Sequence, residues 1–565
     1  MRHRFFPYIP RDPNLNFNEG EVQMPNVRGA DAVVQTLLQE GIRVVFGIPG
    51  VTTLSVYDAF LDHPELRHIE VRHEQSAVYM ADGYARASGQ IGVALTSGGP
   101  GALNTLTAMG TAYNDSVPVL HIVSENERTL RGKSRGFFHD IRDQFGVFRS
   151  VVDFGMQVDT PEQIPHALRL AVHALRSRRP RPALLEITGD ALATRGEMIL
   201  GTSLPVSRRA PSREQVRSAA DLLASAKSPL IWAGGGVSAA GACASLVKVA
   251  ERLGAPVLTS QGGKGTIPAD HPLHLGNWGT EQPVQELIRA SDVMLAVGTR
   301  FSYFPTIRWT LELPRRVIQI DIDPAEIGRN YPVEIGMVGD AQFTLAMLLA
   351  EFDALGLEDR PSRGAEVEEL RKIVLERVGR RDELEVLDQI RNVLPRQAIV
   401  CNDPTTIVFW ARFYWPAYEP RTWLLPAGFG TLGYALPAAV GAKIACPDRP
   451  VVALIGDAGV MFTIQDLMTA IQEKVPITVV IFNDEGYGVE RRHQDHLYGR
   501  RCGVDIRPPD FMKLAEAFGA AGLRVTDLRK VGSALRQALD LNRPAILEVP
   551  NRFLHPGYGS FGKWK

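Results

Sequence analysis

Val451-Val452-Ala453-Leu454-Ile455-Gly456-Asp457-Ala458-Gly459, followed at a distance by Ile477 to Phe482 and then Asn483-Asp484-Glu485-Gly486, is the stretch that decides the fold. Its first five residues form an unbroken apolar run of strand length, the pattern of a strand buried on both faces. The glycines around Asp457 let backbone N–H groups approach an anion closely at the start of a helix. Asp457 and Asp484 are hard oxygen donors of the kind that Mg²⁺ takes. Between them the pattern predicts a helix from Ile464 to Glu473 and a second strand from Ile477 to Phe482. The unit reads as loop, helix, strand and loop, arranged to hold a divalent metal and a diphosphate. A GDxG taken in isolation is also an ordinary tight turn.

Working outward, apolar strands alternate with amphipathic helices along the whole chain, which argues for parallel α/β sheets. A first block holds the strand candidates Val44-Val45-Phe46, Gly92 to Leu95, Val119 to Val123 and Ala183 to Ile187. A polar joint near Ser207 to Ser212 follows. A second block has Leu230 to Ala233, Val257-Leu258, Val293 to Val297 and Val317 to Asp321. Gly234-Gly235-Gly236 looks like a nucleotide-binding turn but lacks a full GxGxxG. The charged stretch from Glu358 to Glu385 reads as a solvated linker or an exposed helix. The expected division is an arm over 1–26, α/β domains over 27–190, 205–355 and 385–550, a linker over 356–384 and a tail over 551–565. No sequence repeat links the first and third blocks beyond their strand–helix rhythm.

With 565 residues the chain exceeds one hydrophobic core. Its formal net charge of −1 gives no field to recruit nucleic acid or an anionic membrane. No apolar run reaches transmembrane length and no signal-peptide core follows the start, so a cytoplasmic enzyme is expected. Cys243, Cys401, Cys446 and Cys502 have neither metal-ligand spacing nor the look of a disulfide framework, which fits a reducing compartment.

Further motifs stand in a fixed order: Phe46-Gly47-Ile48-Pro49-Gly50, Arg72-His73-Glu74, Thr96-Ser97-Gly98-Gly99-Pro100-Gly101-Ala102-Leu103-Asn104, Asp115-Ser116-Val117-Pro118, and Gly428-Phe429-Gly430-Thr431-Leu432-Gly433-Tyr434-Ala435. With the Asp457–Gly486 unit they resemble the acetolactate synthase/2-oxo acid decarboxylase group of thiamine diphosphate (ThDP) enzymes, over nearly the whole chain after residue 27. The resemblance implies three doubly wound parallel-sheet domains: pyrimidine-binding, central Rossmann-like and diphosphate-binding. It implies that Glu74 activates the aminopyrimidine, that the Gly430 carbonyl accepts from the ring amino group, and that Leu432 bends the cofactor. It implies Mg²⁺ on Asp457, Asp484 and the Gly486 carbonyl, with Ala458, Gly459, Asp403, Thr405 and Thr406 at the diphosphate end. Gly47, Pro49, Gly50 and Gly428 carry over as cofactor-binding positions. Two departures stand out, since the group usually has Gly at 458 and Asn at 484.

Three residues bear on the fate of the substrate. His139 is a candidate proton shuttle, since an imidazole can both give and take a proton, and its segment resembles guanidino-oxo-acid decarboxylase relatives more than acetolactate synthases. Glu490 stands where pyruvate decarboxylase-like enzymes place a glutamate over the thiazolium. His73 is beside Glu74. Each has a plainer alternative, as a packing histidine or an exposed helix glutamate. The middle block resembles a domain that holds FAD in acetolactate synthase, but Asn277-Trp278-Gly279-Thr280 departs from the flavin-type loop, so FAD is the less expected outcome. The implied function is non-oxidative decarboxylation of a small 2-oxo acid through a thiazolium-bound carbanion. The alternatives are a carboligase or acyloin lyase using an aldehyde acceptor, and a non-catalytic cofactor-binding protein. A homodimer is the implied minimum and a homotetramer is common in the group.

Overall fold

The computed structural model describes residues 24–553. The arm up to residue 23 and the tail from residue 554 lie outside the described residues. Three six-stranded sheets, parallel in every recorded pairing, organise the chain. All three have helices connecting their strands, as parallel pairing requires. Numbering each sheet's strands in chain order, the first sheet (strands between Val44 and Thr188) and the third (between Ile399 and Pro550) both run 2-1-3-4-6-5. Two stretches without visible sequence repetition therefore share one topology. The middle sheet, between Pro229 and Val338, runs 3-2-1-4-5-6, the doubly wound order with a switch point between its first and fourth strands.

The deciding stretch folds as read. Val451–Gly456 and Thr478–Asn483 are adjacent parallel strands at the centre of the third sheet. The predicted helix is shorter than its pattern: Ile464–Asp466 is a 3₁₀ turn and Leu467–Gln472 the α-helix. The charged stretch after residue 358 contains a 15-residue helix, Gly364–Val378. Its Val367 and Val374 pack into the middle core with Trp232 and Trp278, so one face of this segment is packed on that domain.

The first and third sheets are joined through two helices, Glu74–Ser88 and Ala435–Ala445, whose apolar faces share one core. Gly83 presses on the backbone of Ala438, and Gly441 on that of Met80. Around this contact Arg72 N–H and Ser76 Oγ both donate to the buried Asp466 carboxylate, at 3.0 and 2.5 Å. No helix among the described residues is long and apolar enough to cross a membrane.

Candidate active site

In parallel α/β sheets, functional loops collect at the carboxyl ends of the strands. At that edge of the third sheet stand Asp403, Asp457, Asp484 and Asn551, each just beyond a strand. Asp457 is buried and opens the short helix Asp457–Val460, and its Oδ2 accepts the Gly486 N–H at 3.1 Å. Asp484 lies against Asp457; burial first, then the Asp457 charge, raises its carboxyl pKa. Asn551 Nδ2 donates to Asp484 Oδ2 at 3.3 Å. The neighbouring Asn483 is otherwise engaged: its Nδ2 donates to Glu548 and its Oδ1 accepts the Glu485 N–H. That leaves Asp484 as the side chain facing Asp457.

Gly486 sits in an antiparallel bridge with Asp505, which uses the carbonyls of Glu485 and Val504 and leaves that of Gly486 aside. Among the described residues no group of three or more His, Cys, Asp or Glu side chains is arranged to hold a metal ion by itself. The donor set here is two crowded carboxylates and a backbone oxygen, all hard, which suits Mg²⁺ completed by phosphate oxygens and water. The cradle for such phosphates is also present. Helices Thr406–Tyr414, Asp457–Val460 and Gly488–Tyr498 all begin at this spot. A side chain at Gly488 would strike Asp484 and come within 3.3 Å of Thr406 Oγ1, and one at Gly456 within 3.1 Å of Thr405 Oγ1. First-turn amides converging this way favour an anion. Ala458 and Gly459 lie inside the helical turn, and Ala458 is not among the positive-φ residues. The methyl that departs from the group's glycine therefore carries no backbone strain.

Asp403 has a structural task that its motif position did not imply. It is fully buried, burial pushes its carboxyl up to about 7, and its two oxygens accept the amides of Gly433 and Ala435 at 2.6 and 2.7 Å. It anchors the start of helix Ala435–Ala445, and its Oδ2 also lies against Gly459, where a side chain would strike it. The loop before that helix is thereby fixed. Gly430 (φ 70°) and Gly433 (φ 81°) adopt left-handed backbone on either side of the half-buried Leu432, a conformation that favours glycine. The amides of Ala427 and Gly428 donate to the Asp115 carboxylate, at 2.9 and 3.0 Å. Asp115 pairs with Arg86, Arg86 with the buried Asp82, and Asp82 accepts the Tyr434 hydroxyl. This chain of charges, on residues whose motif positions gave no hint of it, ties the wedge loop to the first sheet's helices.

At the carboxyl edge of the first sheet, Glu74 opens the helix Glu74–Ser88, and its Oε2 accepts from Asn104 Nδ2 at 2.9 Å. A side chain at Gly101 would fall on Ser97 and approach Glu74 Oε1, and one at Gly50 would strike Ser97. The two quoted loops are thus pressed together beneath Glu74. Gly47 is packed against the Leu95 carbonyl and Tyr57, a structural reason for glycine there, while Pro49 is exposed. His139 (φ 62°) packs on Gly99 and stacks on Phe138 with ring centroids 3.8 Å apart. Its Nδ1 is buried without a protein partner. His73 is the N-cap of the Glu74 helix, and its Nδ1 accepts the Gln75 N–H at 3.2 Å; its geometry is that of a cap. Glu490 is exposed in the first turn of helix Gly488–Tyr498, a helix with no buried residue in this chain.

The middle domain's glycines have a packing explanation. Gly234 and Gly236 press backbone to backbone on Gly298 (φ 57°). Above the switch point Phe301 meets Trp232 and Tyr331 edge-on, both at 5.4 Å. Trp232 and Phe301 are each 1% exposed. These rings belong to the apolar core on one face of the middle sheet.

Comparison with known proteins matches this architecture part by part. Residues 27–147 match the "Thiamine pyrophosphate enzyme, N-terminal TPP binding domain", 216–348 the central domain and 403–549 the C-terminal TPP binding domain. The chain is 38% identical over 548 residues to a Pseudomonas aeruginosa protein named "Probable 2-ketoarginine decarboxylase", covering 96% of this chain and 95% of the relative. It is 34% identical over 548 residues to a "Probable acetolactate synthase large subunit" of Methanocaldococcus jannaschii, covering 93% and 92%. Acetolactate synthase isozyme 3 large subunit of Escherichia coli is 33% identical over 548 residues, covering 93% and 95%. With all three domains matched and full-length relatives at this identity, the chain belongs to the ThDP-dependent enzymes of the acetolactate synthase/2-oxo acid decarboxylase family.

Proposed function

We propose that this enzyme is a ThDP- and Mg²⁺-dependent, non-oxidative decarboxylase of a 2-oxo acid. The observation that carries the reading is the paired Asp457 and Asp484 among three converging helix N-termini. When bound, ThDP supplies a nucleophilic carbon and an electron sink for a carbonyl substrate. Asp457, Asp484 and the Gly486 carbonyl would hold the metal, and the first turns at Thr406 and Asp457 the diphosphate. Glu74 would hold a proton at the aminopyrimidine, the Gly430 carbonyl would accept from its amino group, and Leu432 would orient the rings. His139 would move a proton on the substrate side, and Glu490 would act over the thiazolium.

The site loops expose Val51 (70%), Leu54, Leu103, Phe429, Met461 and Phe462 (51%). Apolar side chains so exposed around a polar centre fit a face covered by another chain. A homodimer sharing the site is therefore part of this reading, with a homotetramer as a further assembly of it.

Cofactor-stripped protein should gain several degrees of melting temperature with ThDP and MgCl₂ together, about 2.7 kcal/mol at 100 times Kd. No stabilisation by the pair would remove the enzymatic reading of the site. CO₂ release across a panel of 2-oxo acids, with and without an aldehyde acceptor, then distinguishes decarboxylation from carboligation.

Two buried carboxylates beneath the His139 segment support a reading of the substrate class. Glu125 and Glu186 lie on neighbouring strands, and burial raises both, Glu125 to about 7. Glu186 is satisfied by the amides of Gln144 and Gln157. The nearby cation, Arg131, is already held by Asp159 at 2.5 and 3.0 Å. Gln144 also accepts the Gly99 N–H, which joins this pair to the loop under His139. Such a floor favours a 2-oxo acid whose far end is cationic, and the similarity to a protein named for 2-ketoarginine supports it. Glu125→Gln should lower kcat/KM for a guanidino 2-oxo acid roughly tenfold or more, the range of a charge-assisted hydrogen bond. An aliphatic 2-oxo acid should be little affected. Equal losses on both substrates would assign Glu125 to folding alone.

A further inference from the structure

An aspartate at 484 in place of the group's usual asparagine puts an extra negative charge beside Asp457 and the diphosphate cradle. The structure supplies a candidate answer seven residues on. Arg491, in the first turn of helix Gly488–Tyr498, turns back over the metal loop. Its Nη1 donates to the Asp484 carbonyl at 3.0 Å and its Nη2 to the Glu485 carbonyl at 2.9 Å. Its guanidinium, with the Val504 carbonyl, also occupies the space that a side chain at position 486 would need. Glu485 takes up a left-handed backbone (φ 56°) to present these carbonyls. The charge is not cancelled where it stands. Its ion-pair partner Asp505, at 2.8 Å, is 67% exposed against 19% for Arg491, and an exposed partner is screened by water. The positive end of Arg491 therefore acts inward, on the half-buried Asp484 carboxylate and on whatever anion it helps to hold.

We propose that Arg491 is the positioning counter-charge of the metal loop: it offsets the carboxylate of Asp484, so that the site accepts an anionic diphosphate with Asp in place of Asn, and its planar fork fixes the carbonyl ends of residues 484 and 485. The proposal rests on the ThDP and Mg²⁺ reading of this site. It predicts that positions 484 and 491 are energetically linked for the diphosphate, not merely adjacent. Replacing Arg491 with a neutral side chain makes the cradle more negative and weakens ThDP. Replacing Asp484 with asparagine makes it less negative. The two changes together return the charge to that of the unaltered chain.

The test is ThDP binding to stripped protein at saturating Mg²⁺, by titration calorimetry, on the unaltered chain, Arg491→Met, Asp484→Asn and the double variant. Arg491→Met should raise Kd about tenfold, the scale of one partly buried charge near a phosphate. In the Asp484→Asn background the same change should cost at most about threefold, a coupling read directly from the cycle. Equal losses in both backgrounds would overturn the proposal and leave Arg491 a simple loop clamp. Arg491→Lys keeps the charge without the fork and should retain most of the affinity; a loss as large as in Arg491→Met would likewise count against the counter-charge. It also serves if the methionine variant does not fold. Failure of the unaltered chain to bind ThDP with Mg²⁺ would instead defeat the reading of the site itself, so the two failures are distinguishable.

Discussion

Glu74→Gln should lower ThDP-dependent kcat roughly 10²–10⁴-fold, the usual range for a positioned acid–base group, while leaving folding and cofactor binding close to those of the unaltered enzyme. The amide is isosteric and its oxygen can still accept from Asn104, as the Glu74 carboxylate does at 2.9 Å. The helix start is secured independently, by the His73 cap and by the Asp466 bonds to Arg72 and Ser76. What the substitution removes is a carboxylate able to exchange a proton, set among loops that pack closely only because Gly50, Gly98 and Gly101 carry no side chain. The measurement is kcat beside ThDP affinity and melting temperature. Retained turnover would take Glu74 out of the chemistry. A fall in kcat matched by loss of ThDP binding would make it a binding residue only.

Much of this arrangement was legible because the motifs lie at strand ends, where chain order and spatial order coincide. The apolar runs at Val451 and Ile477 could only be central strands, and Asp457 and Asp484, directly after them, had to meet at one sheet edge. Edge strands such as Arg67–Glu70, Phe154–Val158 and Ala521–Arg524 were not seen, since they are short, half-exposed and mixed in polarity. The common topology of the first and third sheets was equally hidden, because strand order is a property of pairing and not of residue type. Site residues acting through long-range pairs were beyond the sequence for the same reason. Asp115 and Arg86 hold the wedge loop from over three hundred residues away, 312 for the Asp115 bond to Ala427. Asp403, assigned to the diphosphate by its position, spends both oxygens on backbone amides that a motif does not show. Arg491 acts on the metal loop only through a fold back that no sequence pattern marks.

Gly441→Ala and Gly83→Ala provide a test in which sequence and structure forecast opposite signs. Both glycines lie within helices, Ala435–Ala445 and Glu74–Ser88. By helix propensity alone, alanine there should stabilise by about 1 kcal/mol. The structure forecasts destabilisation, because a methyl at 441 would enter the Met80 backbone carbonyl and one at 83 the backbone of Ala438. Backbone cannot turn aside as a side chain can, so the helices must part. Overpacking of this kind costs about 1–3 kcal/mol, and both substitutions together should prevent the two sheets from docking. Function should fail with stability, since one helix begins at Glu74 and the other continues from the Gly430–Gly433 loop that Asp403 secures. Gly110→Ala is the informative contrast: the atoms nearest its methyl would be those of the Phe429 ring, a side chain that can turn aside where backbone cannot. Thermal unfolding should therefore fall in the order unaltered chain, Gly110→Ala, then either Gly83→Ala or Gly441→Ala, with ThDP retention lost in the last two. Stabilisation by Gly441→Ala would mean that these helices do not meet as closely as this contact requires, and that the two halves of the site are held by the loops alone.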